Sequence, residues 1–265
     1  MTPSRRRLLS ALLAVPLGAA LLAGCASATP APAPAPSADG AVTGPVVVFA
    51  ASSLTESFAQ IADAFEAANP GATVTLSHGG SSALAASIRS GAPADVFTAA
   101  NAETMATITG AGLASDPAVF AHTELQIAVP AGNPGNVTGL ADFADRDRTI
   151  ALCAAEVPCG SASALAFQAA GITPAPDTLE QDVRAALTKV ELGAVDAALV
   201  YRTDVLVAGD AVEGIDFAGA SEVPAEYSVV ALSGAPNSPA AAAFAAFVLG
   251  DEAQRILAAA GFTVD

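Results

Sequence analysis

Hydroxyl-bearing and glycine residues fall where this chain turns from strand into helix. Val46 to Phe49 is an apolar run that leads through Ala50-Ala51 into Ser52-Ser53, and His78-Gly79-Gly80 leads into Ser81-Ser82. Thr149 to Cys153 leads, through Ala154 to Pro158, into Cys159-Gly160-Ser161. The first N–H groups of a helix have no partner inside it, and aligned peptide dipoles leave about half a positive charge there. Such a position suits an anion without any charged side chain. Asp182-Val183-Arg184 opens another helix, with Asp182 as its cap, and the strand Ala197 to Tyr201 ends in a phenol able to donate a neutral hydrogen bond.

Each residue also has a plainer role open to it. Ser53 and Glu56 have the spacing of a capping box, so Ser53 could serve only to cap its helix. Tyr201 could sit at the edge of the core, and Arg184 could form a surface ion pair rather than hold an anion. His78, beside two glycines, reads as a turn residue, and His122 has no constellation around it. Catalysis is poorly supported: Gly-x-Ser-x-Gly is absent, neither histidine is placed as a base, and there is neither a phosphate loop nor a Gly-x-Gly-x-x-Gly motif.

The elements that must position these groups alternate. Strands are expected at Val46 to Phe49, Ala72 to Ser77, Val96-Phe97, Leu125 to Val129, Thr149 to Cys153, Ala197 to Tyr201 and Tyr227 to Leu232, with helices between most of them. The helix after Ser53 carries Leu54, Phe58, Ile61 and Phe65 at helical spacing and stops at Asn69-Pro70-Gly71. Alternation of this kind predicts an α/β fold with mostly parallel sheets, in which ligands bind beyond the carboxyl ends of the strands. The Gly-Asn-Pro-Gly segment after Pro130 opens a new unit, and the chain crosses between two lobes near there. Tyr227 to Leu232 is read as the return crossing, and the two helices after it as packing on the first lobe. The expected division is 45–124 with 233–265 in lobe 1 and 125–232 in lobe 2.

Arg5-Arg6-Arg7 followed by the apolar run Leu8 to Leu22, too short to span a membrane and broken at Pro16, is an export signal over residues 1–24. It ends in Leu22-Ala23-Gly24-Cys25, which resembles a lipobox, so Cys25 is the expected lipidation site; ordinary cleavage leaving a free thiol is the alternative. Residues 25–44, rich in alternating Ala and Pro, would form an extended tether reaching up to ~60 Å. Without residues 1–24, Lys+Arg drops from 10 to 7 against 26 Asp+Glu, a net charge of -19. That balance, with no Trp, excludes nucleic acid as the expected partner. Cys153 and Cys159, six positions apart in an exported chain, are candidates for a disulfide, with two reduced thiols as the alternative. Their spacing, with both histidines far off in sequence, gives no cation site.

Taken in order, Phe49-Ala50-Ala51-Ser52-Ser53-Leu54-Thr55, Gly91-Ala92-Pro93-Ala94-Asp95-Val96-Phe97, Val157-Pro158-Cys159-Gly160, Asp182-Val183-Arg184 and Val200-Tyr201 resemble the motif series of periplasmic molybdate-binding proteins. The resemblance covers about residues 45 to 265. It implies a two-lobed periplasmic binding protein fold of type II with hinge-crossing strands, and a monomeric extracytoplasmic receptor of an ABC importer. That receptor would be tethered to the membrane by its lipid and hand molybdate or tungstate to a permease. No cofactor and no enzymatic activity are implied. Carried over by motif position, the oxyanion ligands are Ser53 and Ser81 through hydroxyl and backbone, Cys159 and Val183 through backbone N–H, and the hydroxyl of Tyr201. The family often has alanine where this chain has Cys159, and a strained disulfide there could displace the N–H. A receptor for sulfate or another tetrahedral oxyanion is the alternative within the class, and a tethered serine hydrolase the alternative outside it.

Overall fold

The first strand, Thr43–Ala51 (β1), buries Val46, Val48 and Ala50 completely, and everything in the amino-terminal half is arranged around it. The computed structural model describes residues 42–264. The export signal, Cys25 and all but the end of the tether lie outside the described residues. Thr43 and Gly44, expected as the last residues of that tether, instead pair with Gly71 and Ala72 as part of β1, because a neighbouring strand offers their backbone a ladder.

A single turn of 3-10 helix, Ser52–Leu54, joins β1 to helix α1, Thr55–Ala68. Then follow β2 (Gly71–Gly79), α2 (Ser81–Arg89), β3 (Val96–Ala99), α3 (Ala102–Thr109) and β4 (Ala118–Thr123). The second half holds β5 (Leu125–Pro130), β6 (Ile150–Cys153), α4 (Pro158–Ala170), β7 (Thr178–Glu180), α5 (Val183–Glu191), β8 (Ala197–Tyr201), α6 (Arg202–Ala208) and β9 (Val212–Ile215). The chain closes with β10 (Ala225–Ala231), α7 (Ser238–Val248) and α8 (Asp251–Ala259). No helix among the described residues is long and apolar enough to cross a membrane.

These strands form two five-stranded sheets, ordered β2-β1-β3-β10-β4 and β7-β6-β8-β5-β9. Each sheet is mixed. Strands joined through helices run parallel, β1 with β2 and β3 and β6 with β7 and β8. The strands on either side of the crossings run antiparallel, β10 with β3 and β4 and β5 with β8 and β9. The outward crossing is made at Glu124, between β4 in one sheet and β5 in the other, and Glu124 accepts a 2.9 Å bond from the Arg202 N–H. The return is made earlier than expected: the strand read as the return crossing is β10, which already pairs within the first sheet, so the passage runs over residues 216–224.

The helices other than α6, which the sequence reading did not place, fall where they were expected. Phe58, Ile61 and Phe65 form the buried stripe of α1, and Phe58 and Phe65 meet Phe244 of α7 at ring distances of 6.3 and 5.1 Å. The last two helices thus pack on the first sheet's core, as their apolar residues require. Asn101 and Asp182 cap α3 and α5 by accepting the N–H groups of Thr104 and Ala185. The Asp95 carboxylate, in the Gly91 to Phe97 motif, is 1 % exposed and accepts the N–H groups of Val47 and Asn237 at 2.8 Å each. It fastens β1 to the start of α7.

Candidate functional site

Four helix starts point into one pocket between the two sheets. The amino-terminal half contributes Ala51, Ser52 and Ser53 from the end of β1 and its 3-10 turn, Gly80 and Ser81 from the start of α2, and Ala100 after β3. The other half contributes Pro158 and Cys159 from the start of α4, Asp182 and Val183 from the start of α5, and Tyr201 from the end of β8. All five residues singled out in the sequence, Ser53, Ser81, Cys159, Val183 and Tyr201, line this pocket, which holds about 210 Å³ of atom-free space partly continuous with solvent.

Uncharged donors predominate among the polar groups of the lining. The N–H groups of Cys159 and Val183 have no acceptor among the described residues. The Tyr201 hydroxyl is buried and also without a partner there; burial and the nearby Asp204 carboxylate both push its pKa up, so it stays protonated. Ser81 Oγ accepts the Ala100 N–H at 3.2 Å, which leaves its own proton for the pocket. No Lys, Arg or His lines the space, and the one acidic residue in the lining, Asp182, accepts the Ala185 N–H in capping α5. An arrangement of donors without a built-in cation matches an anion that has no proton of its own to give.

Ser53 does not cap α1. The 3-10 turn moves the cap position to Leu54, and the Ser53 hydroxyl instead lies 2.8 Å from the Tyr227 hydroxyl of β10. Cys153 and Cys159 are joined in a disulfide, S–S 2.03 Å, and Cys159 still faces the pocket with the others. Close packing here depends on Gly160: a Cβ at that position would stand 1.8 Å from the Ala154 carbonyl oxygen. His78 lies in β2 opposite Ala50 rather than in a turn; burial lowers its pKa, and it does not line the pocket. His122 is bridged through its backbone to Thr263. Neither histidine is placed to act as a base for Ser53 or Ser81.

Residues 46–263 match the family model described as bacterial extracellular solute-binding protein. The chain belongs to this family. It is 38% identical over 242 residues to the molybdate-binding protein ModA of Mycobacterium tuberculosis, covering 91% of this chain and 92% of that one. Its fold matches the periplasmic molybdate-binding protein of Azotobacter vinelandii with a TM-score of 0.70 at 20% identity, covering 83% of this chain and 99% of that one. It also matches the sulfate-binding protein SubI of Mycobacterium tuberculosis with a TM-score of 0.67 at 18% identity, covering 83% and 86%. At such identities the structural likeness shows the two-lobed α/β binding-protein fold alone. Family membership makes this an extracytoplasmic solute-binding protein of a transporter.

In this solute-binding protein the two halves meet through residues next in sequence to, or within a few positions of, those that line the pocket. Ser82 Oγ donates to the Glu156 carbonyl at 2.8 Å, and Asn101 Nδ2 donates to Ser161 Oγ at 3.3 Å. Arg184 pairs with Glu56 at 2.6 Å rather than lining the pocket. Behind Tyr201, the Asp204 carboxylate is 1 % exposed and accepts the Tyr201 N–H at 3.1 Å. Burial pushes its pKa up to about 7, against the pull of Arg184 and of that N–H. Ser52 and Gly80, read in the sequence as junction residues but not as ligand residues, also line the pocket, and Ala100 was not read from the sequence at all. Sequence reasoning missed Tyr227 as a partner of Ser53 altogether; the available signal was that Tyr227 is one of only two tyrosines in the chain.

Proposed function

We propose that this chain captures molybdate, and tungstate with it, and delivers the oxyanion to the permease of an ABC importer. The observation that carries the reading is the Tyr201 hydroxyl, buried and without a protein partner, in the same pocket as the unpartnered N–H groups of Cys159 and Val183. Hydrogen bonds to an ionised group contribute about 1.5–3 kcal/mol each, so several of them outweigh desolvation of a dianion even in an acidic protein. Ser53, Ser81, Cys159, Val183 and Tyr201 are the ligand residues in this reading. Closure of the two halves about Glu124 and residues 216–224 completes the shell, and opening releases the anion. Further support comes from the relatives named for molybdate binding.

The lipobox-like Leu22-Ala23-Gly24-Cys25 and the Ala/Pro segment support a monomer anchored at the outer face of the membrane through lipid on Cys25 and held off it by the tether. A thermal-shift screen tests the ligand assignment. Molybdate and tungstate at a hundredfold excess over Kd should stabilise the protein by about 2.7 kcal/mol, with sulfate and phosphate giving much less. Sulfate as the strongest stabiliser would replace molybdate with the alternative receptor, and no stabilisation by any oxyanion would remove the reading.

A further inference from the structure

Tyr227 is fully buried on β10. Its ring stands edge-on to Tyr201 at 6.1 Å and to Phe262 at 5.3 Å, and is tilted against Phe120 at 6.2 Å. The 2.8 Å contact between its hydroxyl and Ser53 Oγ permits either atom to donate, and the surroundings decide which does. Among the described residues the Tyr227 hydroxyl has no other partner, so Ser53 Oγ is the one acceptor for its proton. Ser53 lines the pocket, so its own proton has a bound anion to go to. The reverse direction would leave a buried phenol proton with no acceptor, which folded proteins avoid. The phenol is also the stronger acid of the two hydroxyls.

We infer that Tyr227 is a specificity-determining positioning residue: by donating to Ser53 Oγ it fixes that hydroxyl as a donor into the pocket and so disfavours oxyanions that still carry a proton. The inference rests on the reading that the pocket holds an oxyanion. A serine hydroxyl has one proton and two lone pairs and rotates to suit its neighbours. With Tyr227 donating from behind, the rotor is set, and the Ser53 proton faces the guest. Ser81 is set in the same way by the Ala100 N–H. A fully deprotonated dianion needs only donors and is served by both serines. Phosphate near neutral pH keeps a P–OH group that must itself find an acceptor, and a fixed donor in that direction leaves two protons facing each other. Removing the Tyr227 hydroxyl frees the Ser53 rotor to accept from P–OH.

The test is a competition titration of molybdate and phosphate at pH 7 with the wild type, Tyr227→Phe, Ser53→Ala and the double variant. Tyr227→Phe keeps the ring and its packing. It should bind molybdate about three- to tenfold more weakly, the loss of one ordinary hydrogen bond, and bind phosphate more tightly, so that the preference narrows by about tenfold or more. The narrowing should vanish when Ser53 is already alanine, because the effect acts through that hydroxyl. Equal losses for both anions, an unchanged preference, a narrowing that persists without Ser53, or no phosphate competition in any variant would overturn the inference. So would a drop of more than about 10 °C in the melting midpoint of Tyr227→Phe, which would make the hydroxyl structural. A wild type that binds no oxyanion defeats the pocket reading itself, and is told apart from these outcomes before any variant is made.

Discussion

Glu56, in the first turn of α1, and Arg184, in the first turn of α5, form a 2.6 Å ion pair that joins the two halves beside the pocket. Because the partners sit on different sheets' helices, the pair exists only while the halves are together. The Arg184 and Glu56 side chains remain 28 and 39 % exposed, so solvent screens the pair and its worth is about 0.2–1 kcal/mol. Arg184→Gln should therefore raise the ligand dissociation rate about two- to fivefold and leave the fold intact. Stopped-flow displacement at low and high salt checks this, since the wild type should approach the variant as salt rises. A hundredfold loss of affinity would mean that Arg184 holds the anion directly.

Gly80 marks a second point of closure. A Cβ there would stand 2.4 Å from the Gln181 carbonyl oxygen of the opposite half, and backbone cannot swing aside as a side chain can. Gly80→Ala should leave the melting curve of the ligand-free protein nearly unchanged and weaken oxyanion binding by about tenfold or more, the cost of overpacking a tight contact. Calorimetric titration beside a melting curve separates the two effects. Unaltered affinity would show that the halves need not approach this closely when the ligand is bound.

The Cys153–Cys159 disulfide ties the end of β6 to the start of α4 and so holds the loop that presents the Cys159 N–H. Closing so short a loop stabilises by about 2 kcal/mol on the chain-entropy account. Replacing both cysteines by alanine should lower unfolding stability by that amount and weaken binding only a few-fold, because the contact is made by backbone. Chemical denaturation, with oxidised and reduced wild type as controls, measures it. A large loss of affinity with full stability would show that the bond sets the direction of the N–H.

Asp204 gives the protein a pH-dependent stability of definite sign. Buried behind Tyr201, its pKa is raised to about 7, so between the ordinary carboxylate value and about 7 the folded state holds a proton that the unfolded state has released. Stability attributable to this group is then present at low pH and is lost as pH rises through that window, by at most about 1.4 kcal/mol per pH unit. Asp204→Asn keeps an acceptor for the Tyr201 N–H and removes the titration. Relative to wild type, the variant should gain stability between pH 5 and pH 8 in denaturant unfolding. A constant difference across that range would contradict a raised pKa.

The parts legible in the sequence were those with local causes. The stripe Phe58, Ile61, Phe65 and the apolar run of β1 write their period into consecutive residues, and a helix start announces its free N–H groups by what precedes it. That is why junctions and the motif resemblance point to Ser53, Ser81, Cys159 and Val183, all of which line the pocket. The strands β4, β7 and β9 left little trace: Leu179 of β7 is 59 % exposed, and β9 carries Glu213 and Gly214 in four residues, so neither shows the buried pattern of a central strand. With β4 and β9 unread, the antiparallel pairings beside the crossings were invisible and the sheets looked mostly parallel. Ser53 with Tyr227 spans 174 positions, and no spacing rule reaches that far. The capping-box pattern at Ser53 and Glu56 pointed to a real helix start but to the wrong partner for the serine, because the 3-10 turn redirects its side chain.

The most direct measurement is calorimetric titration of molybdate into the wild type, Ser53→Ala and Tyr201→Phe, the two hydroxyls contributed by opposite halves. Saturable one-to-one binding to the wild type is expected, with each variant weakened about tenfold or more, as loss of a hydrogen bond to an ionised guest requires, and with melting behaviour retained. Wild-type affinity in both variants would contradict a site in which the donors at Ser53 and Tyr201 hold one shared anion.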